Sequence, residues 1–241
     1  VMPTYREAGH LPELVPEIFA QADMLPGYEL WLLIVDDESP DDTAGIVAGL
    51  QARYARLLLL HGKKRGLGVA YQRGFQHAFQ VLQPHLLIQM DGDSQHEPAA
   101  LPNLIGRCGD GVGVVIGSRF TAGGSTPAFS RRRRWTSQMG NWLVQRASGG
   151  PGLRDYTSGF RCIQASLAAS ALAAMSADGL AGRGYAFQSS FLCELIWQGA
   201  QAVELPITFG QRAHDRSKLA WRDYAEFVAN LRRLRRRRRV S

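Results

Sequence analysis

Two short apolar runs that end in acid constrain this chain more than any other feature. Leu32-Leu33-Ile34-Val35 runs directly into Asp36-Asp37-Glu38-Ser39-Pro40-Asp41-Asp42-Thr43, and Leu86-Leu87-Ile88-Gln89-Met90 into Asp91-Gly92-Asp93-Ser94-Gln95-His96. Short continuous apolar runs are what buried strands of a parallel sheet require. Four are expected, at residues 30–35, 57–60, 86–90 and 112–117, with helical patterns at 11–22, 41–54, 68–81 and 99–107. This alternation predicts an α/β fold with a mostly parallel, Rossmann-like central sheet flanked by helices. Ligands of such sheets bind beyond the carboxyl ends of the strands, where both acidic clusters fall.

The second half is less regular. Helices are expected at 131–147, 167–175, 187–197 and 221–234, and strands at 158–163 and 202–209. Val1-Met2-Pro3 gives a first strand that is either cut short or a ragged edge, since Pro belongs at a strand end or edge. No long linker or repeat divides the 241 residues. One domain over 1–230 with a basic tail at 231–241 is therefore expected. The net charge is +7, and residues 231–239 hold seven arginines and no acid, so the rest is formally neutral. A second cluster fills 131–134. The longest run of apolar side chains is six residues, against about 20 for a spanning helix, so no segment is expected to cross a bilayer alone. No signal-peptide pattern is seen. Cys108, Cys162 and Cys193 are odd in number and widely spaced, which suits reduced thiols in a cytosol better than a disulfide framework or a zinc site.

Residues i and i+2 of an extended strand end point the same way, so Asp91 and Asp93 reach one site, and Gly92 lets a ligand approach the backbone. Asp41 or Asp42 is expected to cap the helix that follows, but capping does not explain carboxylates at the strand tip itself. Bringing Asp91 and Asp93 beside Asp36 and Asp37 costs energy unless cations balance them. A divalent metal shared with a phosphate-bearing ligand does so, because magnesium takes one or two carboxylates, substrate phosphates and water. Arg119 closes the fifth strand, Arg133 and Ser137 open a helix, and Arg212 and Lys218 follow the last strand. Basic groups after three separate chain reversals, in a chain with an acidic rim, fit phosphate recognition. The turn Lys63-Lys64-Arg65-Gly66-Leu67-Gly68 is as well explained by a flexible basic turn as by phosphate binding at a helix N-terminus.

Taken in order, Pro3-Thr4-Tyr5-Arg6-Glu7, Val35-Asp36-Asp37-Glu38-Ser39-Pro40-Asp41, Gly66-Leu67-Gly68-Val69-Ala70, Met90-Asp91-Gly92-Asp93-Ser94-Gln95-His96, Gly117-Ser118-Arg119, Ser158-Gly159-Phe160-Arg161, Glu204-Leu205-Pro206-Ile207 and Arg212 with Ser217-Lys218 span nearly the whole chain. The sequence resembles family 2 glycosyltransferases of the GT-A fold, in particular the polyprenyl (dolichyl) phosphate mannose synthase group. The resemblance implies an inverting, metal-dependent transfer of a hexose, mannose from GDP-mannose, to a polyprenyl or dolichyl monophosphate. It implies that Glu7 and Asp36, with Pro3, Tyr5 and Asp37 nearby, hold the nucleoside. Asp91 would contact nucleotide and sugar, and Asp93 and Gln95 would ligate Mg2+ or Mn2+. Arg119, Arg133, Ser137, Arg212 and Lys218 would surround the donor diphosphate and acceptor phosphate, with Asp91, Asp93, Arg119 and Arg133 as the catalytic set. Arg6 stands where the family usually has Asn, and His214-Asp215-Arg216 replaces its usual glycine-containing turn.

A phosphate monoester has a second pKa near ~6 and needs little help from a base, which suits a site rich in arginine and poor in histidine. A lipid acceptor places the protein on a membrane surface, peripheral on the cytoplasmic face. The tail suits that place, since a basic residue near anionic lipid contributes about 1 kcal/mol; a separate membrane-anchoring partner is compatible with it. The final helix carries Trp221, Tyr224, Phe227, Val228, Leu231 and Leu234 as an apolar stripe, expected to pack on the domain rather than on lipid. Two other readings are a family 2 transferase for UDP-glucose or another nucleotide sugar, and a nucleic-acid-binding protein using the arginine tail. Against the latter, the remaining charge is neutral and aromatics are not interleaved with the basic residues.

Overall fold

A computed structural model describes residues 1–177, 184, 186–211 and 221–238. The elements run β1 (Met2–Thr4), α1 (Leu11–Ala20), β2 (Leu32–Asp36), α2 (Thr43–Gln51), β3 (Leu57–His61), α3 (Leu67–His77), β4 (Leu86–Gln89), α4 (Leu101–Arg107), β5 (Val112–Ser118), α5 (Arg131–Ser148), β6 (Arg161–Gln164), α6 (Ala165–Ala177), α7 (Ala186–Trp197), β7 (Gln201–Pro206) and α8 (Trp221–Arg238). Strands β1, β2 and β3 pair in parallel, and β4, β6, β5 and β7 form a second ladder in that order. The Val1 nitrogen donates to Ile88 O at 2.7 Å and the Met90 N–H to Val1 O at 3.3 Å. That is the pattern of a parallel pair. It joins the ladders into one sheet of order β3-β2-β1-β4-β6-β5-β7.

Two details depart from the sequence expectations. Pro3 sits in an interior strand rather than at an edge. Backbone groups alternate along a strand, so Pro3, like Val1, turns toward β4, and β4 ends at Gln89, where no ladder bond is needed from Pro3. Second, β6 enters antiparallel between β4 and β5. The expected strand 158–163 begins only at Arg161, because Ser158 is spent in a turn that accepts from Phe160 N–H and donates to Gly117 O.

Alternation along the strands divides the interior in two. Leu33, Val35, Val114 and Ile116 join Tyr71 and Phe75 of α3, Val144 of α5, Ala171 of α6, Phe187 and Phe191 of α7 and Leu234 of α8. Leu32, Ile34 and Val115 join Leu11, Leu14 and Ile18 of α1, Val47 of α2 and Leu104 and Ile105 of α4. The result is a three-layer α/β/α sandwich whose strand tips open on one rim. Helix α8 runs without a break across residue 231, with Leu234 fully buried and Phe227 and Leu231 packed on the core. The expected division between domain and tail thus falls inside this helix.

Candidate active site

The rim is built from short loops that fix most of its carboxylates with neutral donors and one, Asp37, with an arginine. At the tip of β2, Asp36 is buried and accepts from Ser39 Oγ at 2.5 Å, Ser39 N–H at 3.0 Å and Thr4 Oγ1 at 3.2 Å. Asp37 accepts from Arg73 Nη2 at 2.6 Å; burial pushes its carboxyl above the ordinary range, against the pull of Arg73. Of the expected capping residues it is Asp41 that accepts from the Thr43 N–H and hydroxyl. Pro3 lies in β1 beside Val35. Beyond it, the Lys64 ammonium lies 3.1 Å from the ring centroid of Tyr5. Arg6 has a φ of 61°, a left-handed conformation that Asn tolerates better than Arg. Glu7 is buried against His10 at 3.6 Å, and its N–H donates to Thr43 Oγ1 at 3.2 Å, tying the start of α1 to α2.

The second acidic tip lies beside the first. A methyl group added at Gly92 would touch Thr4 Cγ2 at 3.0 Å, and Thr4 in turn bonds Asp36. Because β1 separates β2 from β4, the tips lie two strand spacings apart, about 10 Å. Asp91 accepts from the Tyr71 hydroxyl at 2.8 Å. Burial and the adjacent Asp91 charge push the Tyr71 phenol well above its ordinary range. The Asp91 N–H donates to His96 Nδ1 at 3.3 Å. That bond requires an unprotonated Nδ1, in keeping with burial, which lowers the His96 pKa against Asp91 and Asp93. Gly159 makes room for this carboxylate, since a Cβ there would sit 2.9 Å from Asp91 Oδ2 and displace it.

Asp93 is buried and accepts from the Gln95 N–H at 3.2 Å, while Gln95 Nε2 donates to Gly210 O at 3.0 Å, which turns Oε1 to the other side. Among the described residues no group of three or more His, Cys, Asp or Glu is arranged to hold a metal. One carboxylate and one amide oxygen suit a hard cation completed by diphosphate and water, and do not suit a closed zinc site.

Opposite these acids, Arg119 follows β5. Its Nε and Nη2 donate to Asp155 at 2.7 Å each, and Nη2 also to Thr157 Oγ1 at 2.7 Å. Asp155 is fully buried; burial alone would raise its pKa, but the Arg119 guanidinium holds it below the ordinary range. The pair is close enough to Asp91 that the latter's charge helps keep Arg119 protonated. Arg133 and Ser137 lie on the first turns of α5, whose N-cap Ser130 accepts from the Arg133 N–H at 3.2 Å. The Arg133 guanidinium stacks 3.9 Å from the Phe129 centroid, Phe129 meets Phe209 edge-on at 5.7 Å, and Arg119 lies 5.2 Å from Phe209. His96 packs on the same Phe209 at 5.3 Å. One aromatic pair therefore gathers Arg119, Arg133 and the Asp91 loop. Arg212 and Lys218 lie outside the described residues.

The description Glycosyl transferase family 2 matches residues 1–170. The chain belongs to this family. It is 34% identical over 234 residues to undecaprenyl-phosphate mannosyltransferase of Micrococcus luteus, covering 96% of this chain and 90% of that one. It is 31% identical over 222 residues to polyprenol monophosphomannose synthase of Mycolicibacterium smegmatis, covering 91% and 80%. A dolichol-phosphate mannosyltransferase of Pyrococcus furiosus is 30% identical over 239 residues, covering 97% of this chain and 62% of that one. In fold, it matches glucosyl-3-phosphoglycerate synthase of Mycobacterium tuberculosis with a TM-score of 0.67 at 17% identity, over 97% of this chain and 78% of that one. The family 2 chain is thus a transferase of the GT-A fold. The same M. tuberculosis enzyme has been crystallised with Mn2+ and UDP-glucose.

Sequence reasoning did not find Tyr71, Asp155, Phe129 or Phe209. Asp155 stands three residues before Ser158-Gly159-Phe160-Arg161, and its place next to that string is the one signal that marks it. Tyr71 reads as a core residue of a helix, which it also is.

Proposed function

We propose that this family 2 transferase moves mannose from GDP-mannose to a polyprenyl monophosphate, with inversion at the anomeric carbon. The observation that supports this best is the convergence of Arg119 and Arg133 on one aromatic pair beside the Asp91 loop. Two cations there suit two anions, the leaving diphosphate and the attacking phosphate, which repel each other unless both are held. The names of the mannosyl-transferring relatives favour mannose and a polyprenyl acceptor.

In this reading Pro3, Tyr5, Glu7, Asp36 and Asp37 bind the nucleoside, Asp91 binds nucleotide and sugar, and Arg119 directs Nη1, the nitrogen not engaged by Asp155 or Thr157, at phosphate oxygens. Arg133 and Ser137 receive the acceptor phosphate; Arg212 and Lys218 bind the donor diphosphate. Asp93 and Gln95 hold Mg2+ or Mn2+, which when bound neutralises charge on the leaving diphosphate. No base is assigned, because the acceptor is already ionised near neutral pH. Among the described residues no helix is long and apolar enough to cross a membrane, and we place the enzyme at the cytoplasmic face of the bilayer, with the basic end of α8 facing lipid headgroups.

Incubation with radiolabelled GDP-mannose or UDP-glucose, polyprenyl phosphate and magnesium tests this. Label from GDP-mannose in a chloroform-soluble product is expected. Preferential transfer from UDP-glucose overturns the donor, and absence of lipid-soluble label from either overturns the acceptor.

A further inference from the structure

Glu204 is an acid on a strand whose neighbours face apolar layers. Along β7, Val203 and Leu205 pack on the layer of α1, α2 and α4, and Ala202 on the opposite layer. Alternation turns Glu204 to the side of Ala202, where α5 and the loop leaving it lie. A carboxylate partly withdrawn from water there is costly unless it is hydrogen-bonded. Both of its oxygens are engaged: Oε1 accepts from the Asp155 N–H at 2.8 Å and Oε2 from the Arg154 N–H at 2.9 Å. In register, Glu204 lies opposite Ile116 of β5, three residues before Arg119.

Those two amides open the segment that aims Arg119. Besides Nε and Nη2 of Arg119, the Asp155 carboxylate takes the Arg119 N–H at 3.0 Å and the Ser158 N–H at 3.0 Å. Each residue that follows is pinned by a different element. Tyr156 O accepts from Nη2 of the buried Arg161 on β6 at 2.9 Å. The Thr157 N–H donates to Asn141 Oδ1 of α5 at 3.1 Å, and Ser158 Oγ to Gly117 O of β5 at 2.7 Å. At residues 154 and 155 the pin is Glu204. Arg119 is thus aimed by Asp155, and the backbone that carries Asp155 is fixed from β7.

We propose that Glu204 is a positioning residue for transfer: by holding the Arg154 and Asp155 amides it fixes the Asp155 carboxylate, and through it the Arg119 guanidinium, without touching substrate. Hydrogen bonds from amides to a carboxylate are charge-assisted and short. Two of them on consecutive amides set both the place and the rotation of the peptide between. A glutamine there offers one acceptor oxygen and turns an NH2 against the other N–H. The peptide then tilts, and the Asp155 carboxylate and Arg119 move with it. A misplacement of about 1 Å costs as much as ~10²-fold in rate. The anchoring of Arg119 stands on these hydrogen bonds; its effect on transfer rests on the phosphate-binding role proposed for Arg119.

The test has two readouts on the full chain. The first is hydrogen exchange of the Arg119 Nε–H in a 1H–15N spectrum, the signal being assigned by its loss in Arg119→Lys. Glu204→Gln is expected to speed that exchange at least about tenfold while the chain stays folded. Glu204→Asp, which keeps the charge and shortens the reach by one methylene, is expected to do the same. The second readout is transfer from GDP-mannose to polyprenyl phosphate. Glu204→Gln is expected to lower kcat about ten- to a hundredfold with a smaller rise in donor KM, and to change kcat less than about twofold in an Arg119→Ala background. Val203→Ala, on the same strand but facing the other layer, is expected to lower the thermal midpoint and keep kcat. Wild-type exchange at Arg119 in the folded Glu204 variants overturns the proposal. So does an equal loss of kcat with and without Arg119, or a loss in Val203→Ala as large as that in Glu204→Gln. Faster exchange at Arg119 in a protein whose Arg119→Ala variant transfers like wild type upholds the anchor and removes only the role of Arg119 at phosphate.

Discussion

The acidic strand tips and the arginines that face them are held by opposite means. Asp36 and Asp91 are fixed by hydroxyls, from Thr4, Ser39 and Tyr71, and by the Ser39 N–H. These donors set direction without removing charge, so Asp36 and Asp91 keep their negative potential for a cation, whereas Asp37 beside them is paired with Arg73. Arg119, in contrast, is fixed by a carboxylate, Asp155, which aims it and offsets part of its charge. Arg133 is stacked on the face of Phe129, a neutral partner that aims it. The difference separates geometry from charge. Arg119 is built for placement and Arg133 for attraction.

Breaking the Arg119–Asp155 pair should have the largest effect. Asp155→Ala leaves a buried guanidinium without its counter-charge, which costs about 3–5 kcal/mol and should appear in chemical denaturation as a lowered midpoint. Replacing both partners by apolar side chains should recover much of that loss; no recovery would mean that the pair does more than balance charge. The pH dependence has a defined sign. The folded-state pKa of Asp155 lies below its ordinary value, so its contribution is complete above pH ~4–5 and is lost as pH falls through the folded value. Asp155→Asn should flatten that acid limb.

Next is Asp93→Ala, expected to reduce metal-dependent transfer about 10²–10³-fold, or ~2.7–4 kcal/mol, with the thermal midpoint nearly unchanged. Wild-type turnover at saturating donor would remove Asp93 from the metal site. Chelation of the wild-type protein should produce a loss of similar size, reversed by Mg2+ or Mn2+.

The contrast also marks what the sequence could reveal. The acidic tips were legible because burial demands an apolar run, and a carboxylate at its end stands out against it. The order of strands and helices was legible for the same reason. The partners of those carboxylates were not. Tyr71 and Asp91 lie 20 residues apart, and Arg119 and Asp155 lie 36 apart, with no periodicity linking them. The antiparallel entry of β6 was equally hidden, since four residues carry no mark of direction and the turn at Ser158 sets it.

Tyr71→Phe sharpens the neutral side of the comparison. It removes one hydroxyl from a carboxylate and leaves the ring packed near Phe75 and Phe187. A hydrogen bond to a charged group is worth about 1.5–3 kcal/mol, so kcat/KM should fall about tenfold or somewhat more. If Tyr71 acts by orienting Asp91, kcat should fall more than the donor KM rises. A rise in KM alone would mean that Asp91 serves binding rather than the reacting geometry.

Arg133→Ala should have the smallest effect and is the most discriminating. The side chain is exposed, so stability should shift by no more than about 0.5 kcal/mol. Loss of one partly hydrated cation should raise the KM for lipid phosphate several-fold, about 1 kcal/mol, and leave donor affinity unchanged in equilibrium binding. Arg133→Lys should restore part of the acceptor affinity, because charge matters here more than the forked geometry that Arg119 uses. Equal weakening of donor and acceptor would place Arg133 on the diphosphate, and the division into one arginine for placement and one for attraction would fail. Salt supplies an independent reading: an exposed cation is screened and a buried pair is not, so the acceptor KM should climb with ionic strength in wild type and stay flatter in Arg133→Ala.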